Sequence, residues 1–447
     1  MALKKKKGYG IATRTIENRL YQQANCFTSF LETKSYYNRV VEFFFMLINT
    51  DPSGLSIPVK DNGGYMYYEI LVLGQPKNDI DAQIPFPQEF VECPALLRRA
   101  AIRAAIGAYE SWNTRFQLWV NRPLRHQHHR PPVQPRRFNF SPVYCKGMWK
   151  EDSGSDIMLK VLVSGRWKWL KFSYFGRVLG GEWVKGSPSI VLKHGGAFLN
   201  FPMQRYVRAT GGIKNIVGSD KFRLLAVDLD LDDHAAIISI LEVEGTTVRE
   251  IANHFIKQPR GIAIRKRDLG RIALRMSATG IIHEGFCFKA WEKIRNRESS
   301  MGYKIASKIV NFANSYNCRF IAFEHLGNLK PCRGKYSRRS NQKRAYWLKS
   351  KIYNNTKQKA YQDFGILTTR VNPRNTSKLD PWGNQVNRQN LIPKQVIQGS
   401  EIYEPGATWV KNKSGYTAHS GVNAGRNIGM KALLRHRTNL EFLRGKA

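Results

Sequence analysis

Two short apolar runs, each carrying carboxylates toward its C-terminal end, stand out in the second half of the chain. Residues 224–231 are apolar except for Asp228 and Asp230, and residues 319–324 run from an arginine through apolar positions to Glu324. Runs of this length and composition predict buried β-strands. Residues 235–243 follow the first run after a gap of the length found in hairpins, and they predict a second strand that pairs with it in the antiparallel direction.

Helical periodicity and short strands alternate elsewhere along the chain. Residues 28–119 have a mostly helical pattern, and residues 138–207 show short strands separated by glycine turns, which predict a small β-barrel. Residues 284–296 and 305–316 predict helices between the two apolar strands. A polar stretch then precedes a final helix, predicted over residues 422–434.

The charge of the chain indicates a binding partner, because the sequence has 72 lysine and arginine residues and only 33 aspartate and glutamate residues. A formal net charge of +39 predicts a polyanion whose condensed counterions are released on binding. No apolar run approaches the roughly 18 residues of a membrane-spanning helix, which argues against a membrane as that partner. Six scattered cysteines favour a reducing, cytoplasmic location.

One stretch concentrates the positive charge. Residues 329–359 contain eleven lysines and arginines and no acidic residue, interleaved with four aromatic residues. A solvated helix usually mixes both signs, whereas one sign with aromatic rings is typical of a nucleic-acid groove. The cations that we expect to contact nucleic acid, here and in the N-terminal part, are Lys330, Arg333, Lys335, Arg338, Arg339, Lys343, Arg344, Lys349, Lys351, Arg98, Arg99, Arg103, Arg136 and Arg137.

The two strand-end carboxylates are suited to two-metal phosphoryl transfer. That chemistry needs carboxylates from separate elements that hold two cations roughly 3.5–4 Å apart. Asp228 and Glu324 are candidates for this role, since a strand end holds a side chain rigidly at a sheet edge. Either acid alone could instead be a salt-bridge or turn residue, so the interpretation depends on the ordered set.

Three segments resemble a known family at this point. Residues 226–229 (Ala-Val-Asp-Leu), 321–326 (Ile-Ala-Phe-Glu-His-Leu) and 422–428 (Val-Asn-Ala-Gly-Arg-Asn-Ile) are similar, in this order, to the motifs of the RuvC-type nuclease domain of TnpB proteins and type V CRISPR effectors. Residues 371–377 resemble the segment before the family's zinc ribbon. The resemblance covers about residues 222–434, and before them only the order of the segments agrees.

The resemblance implies an α+β multidomain fold, in which a wedge-like β-barrel with an inserted helical recognition lobe precedes an RNase H-like (RuvC) α/β domain. The implied ranges are 1–27 and 138–215 for the barrel, 28–137 for the lobe and 216–447 for the nuclease domain, with a degenerate zinc-ribbon region at about 372–418. The resemblance also implies a prokaryotic, nucleoid-associated protein. Its guide RNA would pair with double-stranded target DNA while the protein reads duplex shape and a short flanking motif.

Two departures from the family pattern affect the implied chemistry. The third motif of the family has an aspartate two positions before its Asn-Ala pair, and Gly421 stands there, so Gly421, Asn423 and Arg426 mark a degenerate motif. We therefore expect weak or absent Mg²⁺ binding by Asp228 and Glu324. No cysteine occurs between residues 369 and 420, so we expect no zinc.

Three functional interpretations follow, of which we favour the first. The chain is an RNA-guided DNA-binding protein whose RuvC site is impaired for cleavage. Alternatively it is an active RNA-guided endonuclease with a rebuilt Mg²⁺ site, because Asp230 lies two residues after Asp228 and would share its strand face. Asp232, Asp233 or His419 could help, and Asp230 could equally be a turn acid. The third interpretation is an RNA-independent, transposon-associated DNA-binding protein.

Overall fold

The computed structural model describes residues 3, 6–21, 26–58, 64–75, 78–123, 130–177, 179–193, 196–208, 211–230, 234–259, 261–280, 283, 285–327, 329–332, 334–335, 337, 340–341, 344–345, 347–389, 395–397, 400–402 and 409–443. The chain has a mixed α/β fold and divides into two compact units. One unit comprises residues 1–4 and 13–206, and the other comprises residues 5–12 and 207–447.

The helices, in chain order, are α1 (Cys26–Thr50), α2 (Tyr65–Leu73), α3 (Ala95–Val120), α4 (Ile213–Val217), α5 (Gly261–Thr279), α6 (Phe288–Ser315), α7 (Lys349–Phe364) and α8 (Ser420–Leu434). The strands are β1 (Tyr9–Leu20), β2 (Trp149–Lys150), β3 (Asp156–Val163), β4 (Arg166–Gly176), β5 (Val184–Lys185), β6 (Ser189–Lys193), β7 (Gly196–Arg208), β8 (Lys221–Asp228), β9 (His234–Glu244), β10 (Thr247–Lys257), β11 (Cys318–Glu324), β12 (Leu367–Val371), β13 (Asn387–Gln389), β14 (Gln395–Ile397), β15 (Ser400–Ile402), β16 (Trp409–Lys411), β17 (Thr417–His419) and β18 (Glu441–Phe442).

The first unit combines three helices with an antiparallel sheet. The sheet has the order β2-β3-β4-β1-β7-β5, with β6 paired to β7. Helix α1 buries Val40, Val41 and Phe44 completely and lies in the segment whose periodicity predicted helices. The hairpin of β3 and β4 turns at Ser164 and Gly165, which have φ angles of 48° and 76°. Positive φ at both central residues is what a two-residue hairpin turn requires.

The second unit is built on a six-stranded sheet in the order β12-β11-β8-β9-β10-β18. Strands β8, β11 and β12 are parallel, whereas β9 is antiparallel to both β8 and β10. One face of this sheet packs against α6 and α7, and the other packs against α8. The predicted strands and the hairpin after Asp228 are thereby confirmed.

Two boundaries differ from the sequence prediction. Strand β8 ends at Asp228, three residues earlier than predicted, because the backbone pairing with β9 stops there. The two helices predicted between the strands form one helix, α6, since its buried residues continue from Ile294 through Ile309 on one side. The final helix α8 begins two residues before its predicted start.

A small three-stranded sheet, β13-β16-β17, lies between the second apolar strand and α8 in sequence. Its core consists of Val386, Val410 and Ala418, with Tyr416 packed against them. Among the residues that the structure describes, no helix is both long and apolar enough to cross a membrane.

Candidate functional site

Asp228 and Glu324 end two neighbouring parallel strands at the same level. Val227 on β8 pairs with Phe323 on β11, so the two carboxylates follow directly after this pair. Side chains alternate along a strand, and Ala226 and Ala322 belong to the cluster on the α8 face. Asp228 and Glu324 therefore continue that face, and the structure brings together the two acids on which the prediction of a catalytic site depended.

The environment of Glu324 opposes its ionisation. Burial raises the pKa of this carboxyl above its ordinary value, while the hydroxyl of Thr376 and the positive charge of Lys431 act in the opposite direction. Lys431 lies on α8 and donates to the backbone carbonyls of Asn372 and Arg374. Its ammonium therefore places a positive charge near Glu324.

Helix α8, which contains the third motif, packs on the face of the sheet that carries Ala226 and Ala322, but it contributes no carboxylate there. Asp228 pairs across the sheet with Ile237 on β9, and a Cβ atom added to Gly421 would lie 2.1 Å from Cδ1 of Ile237. Gly425 and Gly429 approach β9 in the same way, with added Cβ atoms 2.7 Å from Oγ of Ser239 and 2.3 Å from Cδ1 of Leu241. The helix packs so closely on β9 because glycines recur at every fourth position.

The other two residues of the degenerate motif make internal contacts. Asn423 is fully buried and donates to the carbonyl of Leu379 at 2.9 Å, while its Oδ1 accepts from the Tyr416 hydroxyl at 3.0 Å. Arg426 forms an ion pair with Glu250 on β10 and donates to the Tyr416 hydroxyl. Both side chains therefore anchor α8 to its neighbours.

Asp230 and His419 lie together at the beginning of α8. The pKa of His419 is lowered, first by burial and then by the charge of His234, while the charge of Asp230 raises it. His419 caps the helix, because its Nδ1 accepts from the backbone N–H of Gly421 at 3.2 Å. Asp230 follows the end of β8, so strand alternation does not assign it to the face of Asp228. Asp232 and Asp233 lie outside the described residues.

The described residues do not complete a two-metal site. No group of three or more histidine, cysteine, aspartate or glutamate side chains among them is arranged to hold a metal ion. The position of the missing aspartate is filled by Ile237, and a lysine stands near Glu324. Within the described part of the chain, which leaves out Asp232 and Asp233, the donor set therefore does not fit the pair of Mg²⁺ ions that the resemblance implies.

Some of the cations predicted to contact nucleic acid pair with carboxylates inside the fold. Arg98 is 8% exposed, and both it and Arg99 pair with the buried carboxylate of Glu69. Lys351 pairs with Glu298 at 2.7 Å. These contacts give the three cations structural partners inside the fold.

Other predicted cations lie on the surface of their own unit. Arg103, Arg136, Arg137, Lys330 and Lys335 are exposed. Arg333, Arg338, Arg339 and Lys343 lie outside the described residues.

A cluster of positive charge adjoins Glu324. Lys349 begins α7, and its ammonium donates to the carbonyl of Leu326 at 2.6 Å and to that of Leu329. The pKa of Lys349 is lowered, first by burial and then by the charges of Arg344 and Lys330. A small cavity of about 50 Å³ between β11 and α7 is lined by Glu324, Lys349 and Arg370, among other residues. Lys349 and Arg370 therefore share a small cavity with Glu324, next to the basic stretch.

Several residues of the site are absent from the sequence prediction. Thr376 and Lys431 influence Glu324, Ile237 fills the space at Gly421, and Glu250 holds Arg426. The glycine spacing of four in α8 is a sequence signal that could have predicted close packing on a strand. The partners of Glu324 and Arg426 have no such signal, because they depend on sheet register and strand order.

A curated protein shares part of this sequence. The chain is 27% identical over 212 residues to the TnpB-like protein aq_aa05 of Aquifex aeolicus (strain VF5), a match that covers 45% of this chain. The chain resembles a TnpB-like protein. It spans 64% of the length of that relative. The relationship confirms the TnpB resemblance that the three motifs indicated.

Further comparisons concern one segment of the chain and its fold. Residues 14–163 match the model of the Aq_aa04 family. A solved Cas12f1–sgRNA–target DNA complex matches 94% of this chain and 99% of its own, with a TM-score of 0.48 and 12% identity. A Cas12i1 R-loop complex before target DNA cleavage matches 93% of this chain and 66% of its own, with a TM-score of 0.45 and 10% identity.

Proposed function

We propose that this TnpB-like chain is an RNA-guided protein that binds double-stranded DNA and whose RuvC-like site is impaired for cleavage. Guide RNA and target DNA are its proposed partners. Base pairing would select the target, and the protein would hold the duplexes through their backbones. Held on its target without cutting, the protein would block transcription or recruit other machinery.

The observation that carries this proposal is the cation cluster around Lys349. Lys330 and Arg344 lie close enough to Lys349 to lower its pKa, so three positive charges gather in the stretch whose charge and aromatic residues predict a nucleic-acid groove. Like charges held together cost free energy unless a polyanion neutralises them. Phosphates supply that neutralisation and release their condensed cations.

Impaired cleavage is supported by the geometry around Gly421. A carboxylate at this position would have to displace Ile237, which is 1% exposed in the sheet core. The charge of Lys431 already acts on Glu324. Both features suit a site that no longer assembles two cations, so its proposed residues are Asp228 and Glu324, with Asp230 beside them.

The domain assignment follows the same proposal. Residues 1–27 and 138–215 would form the wedge-like barrel, 28–137 the inserted recognition lobe, and 216–447 the RuvC-like domain with its altered ribbon at about 372–418. The sheet of the first unit supports this assignment, because β1 is separated in sequence from β2–β7 by α1–α3. The strand order of the second unit, with a central β8 flanked by a hairpin and two parallel strands, suits an RNase H-like domain.

An active endonuclease with a rebuilt site is a second candidate function. Its supporting observation is that Asp230 acts electrostatically on His419, which begins α8 just before Gly421. In that case Asp230 would provide the carboxylate that position 421 lacks, and Mg²⁺ would be required. An RNA-independent DNA-binding protein is the third candidate and rests on the charge alone.

Co-purification separates the guided from the unguided candidates. The protein is isolated under moderate salt, and the RNA bound to it is sized and sequenced. A single RNA species of defined length is the expected result. Protein that has been treated with ribonuclease and still binds one duplex sequence with unchanged specificity would contradict the proposal.

A further inference from the structure

The segment before α8 contains two turns with the same hydrogen-bond pattern. The first turn is residues 380–384 and the second is residues 412–416. The backbone N–H of Asp380 donates to the carbonyl of Asn384 at 2.8 Å, and that of Asn412 donates to the carbonyl of Tyr416 at 3.0 Å. The fourth residue of each turn is a glycine with positive φ, +91° at Gly383 and +84° at Gly415.

The first side chain of each turn closes it in the same way. Oδ1 of Asp380 accepts from the N–H groups of Trp382 and Asn384, at 3.0 and 2.8 Å. Oδ1 of Asn412 accepts from the Ser414 hydroxyl at 2.8 Å and from the N–H of Tyr416 at 2.9 Å. The two turns are therefore structurally equivalent, one built on an aspartate and the other on an asparagine.

The two turns meet through these same side chains. Nδ2 of Asn412 donates to Oδ2 of Asp380 at 2.6 Å, and Nδ2 of Asn384 donates to the same oxygen at 3.0 Å. Asp380 is 1% exposed and Asn412 is 7% exposed. A buried carboxylate needs partners for its oxygens, and here four N–H donors supply them.

Zinc, which the resemblance implies for this region, does not fit these turns. A structural zinc site needs four thiolate or imidazole ligands in a tetrahedron, and residues 369–420 contain no cysteine. The Asp380 and Asn412 oxygens that a metal could use already accept hydrogen bonds within and between the turns. The amide nitrogen of Asn412 is a donor and cannot ligate a cation.

We infer that Asp380 and Asn412 form a metal-free clasp that joins the two turns where the family uses zinc, and that this clasp positions α8 against the strand of Glu324. The clasp is connected to α8 at both ends. Tyr416 of the second turn binds Asn423 and Arg426, and Leu379, next to the first turn, accepts from Asn423 and Asn427.

The connection continues to the carboxylate itself. Nδ2 of Asn427 donates to the carbonyl of Thr376 at 2.8 Å, and the hydroxyl of Thr376 acts on Glu324. Trp382 of the first turn also donates its indole N–H to the carbonyl of Phe442 at 2.7 Å. Asp380 and Asn412 are therefore positioning residues, which act on the site through the helix and Thr376.

Exchanging the two side chains tests the clasp without changing their size. In the Asp380→Asn variant, the new amide nitrogen at position 380 faces Nδ2 of Asn412, so two donors meet. In the Asn412→Asp variant, the two carboxylates of residues 380 and 412 face each other. The double variant Asp380→Asn/Asn412→Asp restores the central hydrogen bond in the opposite direction and keeps Oδ1 of both side chains as the acceptor within its turn, but it leaves Nδ2 of Asn384 facing the new amide nitrogen at position 380. A double-mutant cycle isolates this coupling.

The free protein is sufficient for the measurement, so its outcome is independent of the proposed function. Each single variant should unfold roughly 3–10 °C lower, the scale for one unsatisfied buried polar group, and should speed amide exchange in residues 420–430. The double variant should recover the part of both losses that belongs to the central hydrogen bond, and chelators should leave the parent unchanged. Additive losses in the double variant, or one zinc per chain whose removal melts the parent, would overturn the inference.

Discussion

Ile237 occupies the space into which any side chain at position 421 would project. The two residues belong to β9 and α8, and Ile237 is also the cross-strand neighbour of Asp228. Gly421, where the resemblance implies an aspartate, therefore faces an apolar side chain in the volume that a carboxylate would need. An aspartate at position 421 would thus require a change in the sheet as well as in the helix.

Restoring the aspartate should require a change at Ile237. Gly421→Asp alone should destabilise the protein by about 1–3 kcal/mol, because its Cβ overlaps Cδ1 of Ile237. Ile237→Val removes that methyl group at a cost of about 0.5–1.5 kcal/mol by itself. The double variant should be more stable than the sum of the two changes predicts, as measured by urea unfolding of all four proteins.

The parent, the two single variants and the double variant also test whether an aspartate at position 421 restores cleavage. We expect Mg²⁺-dependent cleavage of target DNA to appear in Ile237→Val/Gly421→Asp and to be absent from Ile237→Val. Strict additivity of the stability changes would show that Ile237 does not restrict position 421.

Glu324→Gln should stabilise the folded protein at neutral pH. Burial raises the pKa of Glu324 in the folded state above its ordinary value of 4.5, so folding disfavours the charged form. Below pH 4.5 the carboxyl is protonated in both states and the substitution has no electrostatic effect. The gain should grow as pH rises through the folded pKa and reach about 0.5–2 kcal/mol, a range common for stabilising substitutions at such sites.

Thermal unfolding of parent and Glu324→Gln at several pH values measures this gain. A matched control is Glu244→Gln, which changes an exposed carboxylate at the end of β9 in the same sheet. A stability difference for Glu324→Gln that is constant across pH, or that favours the parent at pH 7, would contradict the burial argument.

Arg426→Ala should destabilise the second unit more than a surface substitution would. The side chains of Arg426 and Glu250 are 20% and 11% exposed, and the variant leaves the carboxylate without its cation. Loss of one partner of a buried pair typically costs about 3–5 kcal/mol. The double variant Arg426→Ala/Glu250→Ala should recover part of this loss, and a double variant that is less stable than Arg426→Ala would count against the pair.

Neutralising exposed cations of the basic stretch should weaken DNA binding evenly across sequences. The variant replaces Lys330, Lys335 and Lys357 by glutamine, and the control replaces Lys185, Lys193 and Lys221, each of which pairs with a carboxylate. The slope of log K against log salt should fall by about 0.9 for each phosphate that the variant no longer neutralises. Equal salt-dependence slopes for the variant and the control would show that nucleic acid binds to a surface other than the basic stretch.

Much of the second unit could be predicted from its sequence. Apolar runs that end in Asp228 and Glu324 define strands whatever their surroundings, and the pattern of α8 defines a helix. What could not be predicted is set by contacts between distant segments. The end of β8 at Asp228 depends on where β9 stops pairing, and Asp230 consequently falls outside the strand geometry predicted for it.

The turns of the altered ribbon illustrate a different limit. The missing cysteines led to the expectation that zinc is absent, but residue types alone do not show what joins the turns instead. Asp380 and Asn412 are 32 residues apart, and their pairing exists only once both turns have formed. Likewise, Arg98 fits a basic surface by composition, yet Glu69 binds it in the core.

The most direct test of an impaired, RNA-guided site is the fate of a target plasmid mixed in Mg²⁺ with the protein and the RNA that purifies with it. Binding and cleavage are measured together, beside Asp230→Ala. We predict tight, RNA-dependent binding to the matching plasmid, with no cutting by either protein. Cutting by the parent that disappears in Asp230→Ala would contradict this prediction and would establish a rebuilt metal site.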